Sequence, residues 1–377
     1  MTDEMFADNL KISLRQIRRL FVLDIFGMSS LLLPGIFSAM TGADGVFCLL
    51  IGMAGGMVLL WLVAANMKYM EDDYYGYMKD TAGQIVSDVF MVFYFLYFVT
   101  LSGYALYELT TLTLGWLLPE GSFDGIAVLL ILLVVYACLR GIEGRARVYE
   151  IIFWFLGVPL ILMLVLAIPD VNSSYWTPIV ASQGEQLFRG STSVMIFLLP
   201  FNALLFLRPF CTKPEKLAVC GQQALLVVTA LNVVIYLILL GVFGQNSMGV
   251  LKRPVLTLMG MVNLPGGFFT RQDVLMTAVW FFALFALLNT GIFQGTLVLR
   301  ELCHETKKNF SLYAVAALAF FMGKGLFEHR ILGEIYDIYQ NCIALPGMYL
   351  ILLALLLFYQ IRTGRKAGKG ATMNVEE

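Results

Sequence analysis

Charged residues are scarce in this sequence, and their scarcity excludes a soluble globular domain. Only 14% of the 377 residues are Asp, Glu, Lys or Arg, whereas 59% are hydrophobic. A soluble domain carries about 25% charged residues because its surface faces water. The formal net charge of −1 indicates neither nucleic acid nor an acidic partner. So little charge is typical of a surface that faces a lipid bilayer, which we expect to surround this protein.

Patterns that carry chemistry are also missing. The six cysteines show no C-x-x-C spacing, so we expect free thiols, no disulfide and no metal site. The two histidines, His304 and His329, fall in loops predicted on opposite sides of the membrane. No Gly-rich phosphate loop and no nucleophile–base arrangement stands out, so we predict no enzyme and no cofactor. No small-residue cleavage site follows the first apolar run, and we expect no removable signal peptide.

Long uncharged runs dominate the chain. About 20 apolar residues are needed to cross roughly 30 Å of hydrocarbon as a helix. The runs predict an all-α polytopic membrane protein with about ten transmembrane helices. The seventh run exceeds one span, and the Gly and Pro residues after Phe243 predict a structured loop there. The predicted spans are Ile25–Ala43, Gly45–Met67, Val89–Tyr107, Gly125–Leu139, Ile151–Pro169, Gly190–Leu207, Leu217–Leu251, Val274–Leu299, Asn309–Gly323 and Ile338–Ile361.

The distribution of positive charge predicts the orientation. Cytoplasmic segments of membrane proteins carry an excess of Lys and Arg. With the N-terminus inside, 19 of the 25 Lys and Arg residues fall in inner segments and only six in outer ones. We therefore expect both termini to be cytoplasmic.

Five crossings turn the second group of five helices upside down relative to the first. This geometry is an inverted repeat, which builds many secondary-transporter folds. We expect one transmembrane domain over residues 1–377, with five-plus-five halves at about residues 19–169 and 190–361.

The first and sixth spans contain helix-breaking residues. In inverted-repeat folds these helices are often discontinuous, since unwound backbone binds a substrate near the bilayer midplane. Gly and Ser crowd the first span before Pro34, and Pro200 lies inside the sixth, where proline removes a backbone donor. We predict that helices 1 and 6 are discontinuous, although Pro and Gly are also simply commoner in membrane helices. The residues predicted to bind substrate there are Gly27, Met28, Ser29, Ser30, Phe197, Pro200 and Asn202.

A polar stripe follows the third span. Tyr94, Tyr97, Leu101, Tyr104 and Glu108 lie three or four residues apart and so share one helical face. We predict that Tyr97 and Tyr104 complete the substrate site. A carboxylate within the bilayer usually faces the bundle interior, so Glu108 either pairs with a cation, holds a proton or lines a polar path.

Asp24 is the acidic residue of the first span, one turn before Gly27. It either lines an inner vestibule, extending the acidic path of Glu108, or pairs with a basic group at the cytoplasmic rim. The basic segments at residues 141–150 and 208–216 are interpreted as anchors at the inner membrane interface.

Three segments resemble the GerAB-type spore germination permeases of the amino acid–polyamine–organocation (APC) superfamily. Residues 11–35 match that family's I-S-x-x-Q start and a first helix ending in L-P. Residues 141–153 resemble its inner loop, with Glu143, Arg147 and Glu150 matching. Arg271-Gln272-Asp273 and Trp280 resemble the start of its eighth helix. The resemblance implies the LeuT/APC-like inverted-repeat fold and a B-subunit that senses nutrients in the spore inner membrane, beside A-type and C-type subunits.

Our leading hypothesis is therefore a membrane subunit that binds a small germinant, an amino acid before a nucleoside or a sugar. The alternatives are an APC-type amino-acid transporter that uses the same site, and a water or ion path or scaffold for partner subunits.

Overall fold

The protein is described by a computed structural model that covers residues 11–71, 73–178, 180–251, 253–261, 272–305 and 309–373. Over these ranges its secondary structure is helical, apart from an isolated bridge between Ile12 and Cys211. The α-helices are α1 Leu14–Met40, α2 Gly45–Met67, α3 Tyr74–Ala82, α4 Gln84–Trp116, α5 Phe123–Leu139, α6 Gly141–Ala167, α7 Gly184–Leu198, α8 Ala203–Leu207, α9 Leu217–Val250, α10 Pro254–Met261, α11 Gln272–Leu302, α12 Phe310–Glu328, α13 Arg330–Tyr339 and α14 Leu345–Met373.

The predicted membrane fold class is confirmed. In the described ranges, nine helical segments are long and apolar enough to cross a bilayer, and α5 is a shorter apolar helix of 17 residues. Large apolar side chains point outwards, among them Leu129, Ile151 and Phe321 with 68%, 73% and 68% exposure. Such a surface requires lipid around it. The chain is an all-α polytopic membrane protein, while the inverted repeat stays a prediction.

The first span lies at the centre of the bundle. The most apolar stretches of α1 and α11 are each 83% buried, more than those of most other spans. The two helices run antiparallel, since Asp24, Gly27 and Ser30 of α1 meet Thr290, Ala283 and Trp280 of α11 in that order. A helix enclosed on all sides must be apolar all round or have its polar groups paired.

The prediction that helix 1 is discontinuous is wrong. α1 runs from Leu14 to Met40 without a break, with Pro34 inside it. The hydroxyls of Ser29 and Ser30 donate to the carbonyl oxygens of Ile25 and Phe26, one turn earlier, over 2.7 and 2.6 Å. These bonds keep the hydroxyls within the helix instead of opening it.

Close packing explains the small residues of α1. A Cβ atom on Gly27 would lie 2.7 Å from the Cβ of Ala283 and 3.0 Å from its carbonyl carbon. Helices in membranes approach one another through such small residues. Gly27 therefore serves the contact between α1 and α11.

The sixth and seventh spans change their winding where the sequence predicts. α7 is followed by a 3₁₀ turn at Leu199–Asn202, which contains Pro200, and α8 begins directly after this turn. In α9, Gly244 has φ 70° and ψ 165°, immediately after Phe243. The chain after this kink is helical again, in place of the loop predicted there, and its last turn ends at Val250.

Candidate ligand-binding site

A cavity of about 630 Å³ lies inside the bundle. Its volume falls within the range of roughly 300–1,000 Å³ that is typical of small-molecule sites. Its wall is formed by α1, α4, α7 with the following 3₁₀ turn, the last turn of α9, Leu287 of α11, and the chain around α13. Seven of the residues predicted for the site or the acidic path border it: Asp24, Met28, Tyr97, Tyr104, Glu108, Phe197 and Pro200.

The cavity is closed at one end and open at the other. Asp24, Met28 and Tyr97 are 0%, 3% and 1% exposed, whereas Val250 at the other end of the wall is 87% exposed. Along α1 the wall runs from Asp24 to Ile36, which is about 18 Å at 1.5 Å per residue. The open end of the cavity therefore lies beside the end of α9, and the closed end lies at Asp24.

Four of the predicted binding residues do not border this cavity. Gly27 packs against α11, and Ser30 accepts a hydrogen bond from Trp280 Nε1 over 2.9 Å. Ser29 accepts one from Asn232 Nδ2 over 3.0 Å. The Nδ2 group of Asn202 donates to the carbonyl oxygen of Leu199 over 3.0 Å. Each of these polar side chains has a partner within the bundle.

Asp24 lies at the closed end as part of a buried chain of three side chains. The Thr290 hydroxyl donates to Asp24 Oδ2 over 2.6 Å and accepts a hydrogen bond from Nη2 of Arg145. Nη2 of Arg145 is 3.8 Å from the same carboxylate oxygen, and both side chains are at most 1% exposed. A buried charge is stable only when it is paired or hydrogen-bonded.

Arg145 corrects the interpretation of residues 141–150 as an interfacial anchor. Its guanidinium is covered by the rings of Tyr149 and Phe293, at 5.2 and 5.4 Å. Arg147, two residues later, is 57% exposed and pairs with Glu143, as an anchor would. The different positions of Arg145 and Arg147 could not be predicted from the sequence, because both residues belong to one short basic segment.

Glu108 lies near the mouth of the cavity. It accepts a hydrogen bond from Nη2 of Arg253 over 2.6 Å, and the same nitrogen donates to Thr111 Oγ1 over 2.9 Å. Of the three roles considered for Glu108, pairing with a cation and lining a polar cavity are both present. Arg253 was not among the predicted site residues, because it follows the seventh span as an ordinary loop cation.

One wall of the cavity was missed by the sequence analysis. Tyr336 and Asp337 of α13, with Gln340 and Asn341 of the π-helical turn at Gln340–Ala344, border the cavity. The rings of Tyr336 and Tyr104 stack with centroids 4.5 Å apart. In the sequence, the signal for this wall was the group of polar residues just before the last apolar run. In the structure, the π turn is a second sign, because π turns are frequent at functional sites.

Two of the sequence segments that suggested the family lie in contact. Ser13 and Gln16 form a capping box at the start of α1, and Nε2 of Gln16 donates to Glu150 of α6 over 3.3 Å. Glu150 also pairs with Arg15 and Arg19 at 3.1 and 3.0 Å. Arg271 of the third segment lies outside the described residues. Within the described ranges, no group of three or more His, Cys, Asp or Glu side chains is placed to hold a metal ion.

Comparison with known proteins identifies the family. Residues 11–324 match the profile of the Spore germination protein family. Spore germination protein KB of Bacillus subtilis (strain 168) is 26% identical over 330 residues, which cover 85% of this chain and 84% of that protein. Spore germination protein YndE of the same organism is 21% identical over 291 residues, 75% of this chain and 78% of that protein. Spore germination protein B2 is 22% identical over 247 residues, covering 64% and 66%. Because the profile covers most of the sequence and the fold is polytopic, this chain belongs to the spore germination protein family of membrane proteins.

Proposed function

We propose that this protein is the ligand-sensing membrane subunit of a spore germinant receptor, and that its cavity binds a small nutrient, an amino acid. The observation that carries the proposal is the cavity itself, which is of ligand size and is bordered by Tyr97 and Tyr104 of the predicted polar stripe. The relatives named as spore germination proteins supply the physiological setting.

Sensing requires two states of the protein with different affinities for the ligand. The mouth of the cavity is built from short or kinked segments: the end of α9 after Gly244, and the π turn after α13. A ligand held between these segments and α4 stabilises an occluded state relative to the open one. We propose that A-type and C-type subunits read out this change in the spore inner membrane, with both termini of this chain cytoplasmic.

The proposal is tested by filling the cavity with one large side chain. Leu101 of α4 borders the cavity and is 7% exposed, so Leu101→Trp occupies space that the ligand needs. We expect spores carrying this variant to lose at least about tenfold in sensitivity to their nutrient, measured as the concentration that gives half-maximal loss of refractility.

The matched control is Leu129→Trp on α5, because Leu129 is 68% exposed on the outer surface of the bundle. This variant has the same change in side chain and should leave nutrient sensitivity unchanged. The amount of each protein in spore membranes is measured in parallel. Normal nutrient sensitivity in Leu101→Trp spores with normal protein amounts refutes the placement of the ligand in this cavity.

A second observation favours an amino-acid transporter as the second candidate. A smaller cavity, of about 220 Å³, lies beyond the closed end of the first and is bordered by Tyr74, Met91, Phe206 and Glu301. Met91 and Tyr97 border different cavities and are six residues apart on α4, which is about 9 Å of helix. The rings of Tyr74, Tyr94, Phe98 and Phe206 pack between them in edge-to-face and stacked contacts. One layer of aromatic rings thus separates the two cavities, which is the arrangement expected of a carrier that opens alternately to the two sides of the membrane.

Transport by the isolated chain distinguishes the two candidates. The purified chain is reconstituted into proteoliposomes, and uptake of the radiolabelled nutrient that triggers the spores is measured against protein-free liposomes. Saturable uptake that Leu101→Trp abolishes supports the transporter. Binding of the nutrient without any uptake supports the sensor.

A further inference from the structure

We propose that the closed end of the cavity recognises the ammonium group of the ligand, and that Asp24 Oδ1 is the atom that accepts it. The inference rests on the proposed function, since it names the chemical group by which the sensed nutrient is held. It predicts ligands that carry a primary amine, amino acids among them, and excludes nucleosides and sugars that lack one.

The hydrogen bonds around Asp24 leave one oxygen without a partner. Oδ2 accepts from Thr290 over 2.6 Å, and Thr290 in turn accepts from Arg145. Oδ1 has no hydrogen-bond donor among the described residues, although the side chain is fully buried. An ionised carboxylate accepts several hydrogen bonds, and a buried acceptor without a donor is unfavourable. A hydrogen-bond donor that enters through the cavity would pair with Oδ1.

The charges around the cavity favour a cation. The described residues that border it include three carboxylates, those of Asp24, Glu108 and Asp337, and no Lys, Arg or His. Glu108 already has Arg253 as a partner, whereas Arg145 lies behind Thr290 and is covered by aromatic rings. At the closed end a carboxylate group of a ligand would lie against Asp24, because Arg145, 3.8 Å from Asp24 Oδ2, does not border the cavity.

The surroundings of Asp24 suit an organic ammonium better than a metal ion. Met28, Leu101 and Leu287 border the cavity beside it, whereas a hard cation needs about six oxygen ligands. Met28 lies one turn from Asp24 towards the mouth and is flexible, so its displacement opens the path to the carboxylate. The buried hydroxyl of Tyr97 also has no partner among the described residues. It supplies a hydrogen bond to the other polar group of the ligand.

Removing one charged group at a time from the ligand tests the inference on the unaltered protein. The full chain in lipid nanodiscs is titrated with each standard amino acid, with inosine and with glucose. For every amino acid that binds, the amine without the carboxylate and the acid without the amine are titrated too; for valine these are isobutylamine and isovalerate. We expect loss of the amine to weaken binding by at least about 10- to 100-fold, the effect of one charge-assisted hydrogen bond, and more than loss of the carboxylate does.

A pair of carboxamide variants assigns the effect to one residue. Asp24→Asn should reduce amine affinity by the same factor, whereas Asp80→Asn, at an exposed position on α3 that does not border the cavity, should change it less than about threefold. Thermal unfolding and gel filtration report whether each variant is folded. The ligand series on the wild-type protein decides the question even where Asp24→Asn does not fold.

The outcomes separate this inference from the proposed function. Binding of inosine, glucose or the deaminated acid as tightly as the best amino acid overturns ammonium recognition and leaves a sensing cavity in place. Unchanged amine affinity in folded Asp24→Asn protein also overturns it. A third outcome also overturns it: sodium chloride stabilises the wild-type protein more than choline chloride does, Asp24→Asn abolishes this difference, and no amine binds. Asp24 is then assigned to a metal ion instead. Absence of binding by every compound refutes both.

Discussion

Arg253 and Glu108 join two parts of the chain across the mouth of the cavity. Nη2 of Arg253, which lies between α9 and α10, donates to Oε2 of Glu108 on α4 over 2.6 Å. Their side chains are only 9% and 6% exposed. A pair with so little access to water is stable because each charge neutralises the other, and removal of one partner leaves the other charge buried alone.

Replacing one partner of this pair is therefore predicted to be worse than replacing both. Arg253→Leu leaves Glu108 unpaired and should destabilise the protein by about 3 kcal/mol. The double variant Arg253→Leu with Glu108→Leu should be more stable than either single variant, because no isolated charge remains. Thermal unfolding of the purified proteins in detergent measures the order. Additive effects of the two single changes contradict coupling between these residues.

The two arginines at positions 145 and 147 are predicted to differ sharply. Arg145→Leu removes the cation nearest to Asp24 inside the bundle and should destabilise by about 3–5 kcal/mol, with loss of folded protein from membranes. Arg147→Leu makes the same change at a 57% exposed position and should stay within about 0.5 kcal/mol. The yield of monodisperse protein and its unfolding temperature provide the comparison. Equal behaviour of the two variants would count against the buried position of Arg145.

The contact between Gly27 and Ala283 predicts a reciprocal pair of substitutions. Gly27→Ala places a methyl group 2.7 Å from the Cβ of Ala283 and should cost about 1–3 kcal/mol through overpacking. Adding Ala283→Gly returns the missing space and should recover most of this loss. Gly157→Ala in α6 is the control, since no atom lies within 4 Å of the added methyl group. Thermal stability of the four proteins is the readout, and failure of Ala283→Gly to rescue excludes this contact as the cause.

Gly244 is predicted to be required for the shape of the cavity mouth. Its φ of 70° with ψ of 165° belongs to a region that residues with a side chain avoid, at a cost of about 1–3 kcal/mol. Gly244→Ala should therefore destabilise the protein and weaken nutrient binding, because the last turn of α9 borders the cavity. Gly260→Ala in α10, with no atom within 4 Å, should be neutral. Binding titrations and unfolding curves of the two variants test this, and equal effects would show that the kink is not needed.

Both ends of the chain are predicted to lie on the cytoplasmic side. Reporter tags fused at either end should be protected from protease in intact cells and cleaved after the membrane is permeabilised. The reason is the concentration of Lys and Arg in alternate connecting segments. Accessibility of one tag in intact cells would require an odd number of crossings and would remove the five-plus-five arrangement.

Membrane spans were predictable because hydrocarbon imposes a simple rule on composition. Every residue that faces lipid must be apolar, so the spans appear in the sequence as uncharged runs. The polar stripe of α4 was predictable for a related reason, since a polar face on a membrane helix must point inwards. The structure places Tyr97, Leu101, Tyr104 and Glu108 on the cavity wall, whereas Tyr94 lies outside it and contacts Tyr74 and Phe206.

The roles of small and charged residues were not predictable, since they depend on what lies opposite. Gly27 and Ser30 are residue types that suggest a helix break, yet in the structure they contact Ala283 and Trp280 of α11. Arg145 and Arg147 look alike in sequence, and only the position of Asp24 on another helix separates them.

The sequence by itself thus determined a bundle of apolar helices, its polar stripe and its family. The tertiary structure decided which polar groups meet, because segments far apart in sequence bring Asp24, Thr290 and Arg145, or Glu108 and Arg253, within hydrogen-bonding or ion-pair distance. The free energy of transfer from water to hydrocarbon is a property of each residue, so it can be predicted one position at a time. The energy of a hydrogen bond or an ion pair depends on two residues, so it can be assigned only when the structure places both.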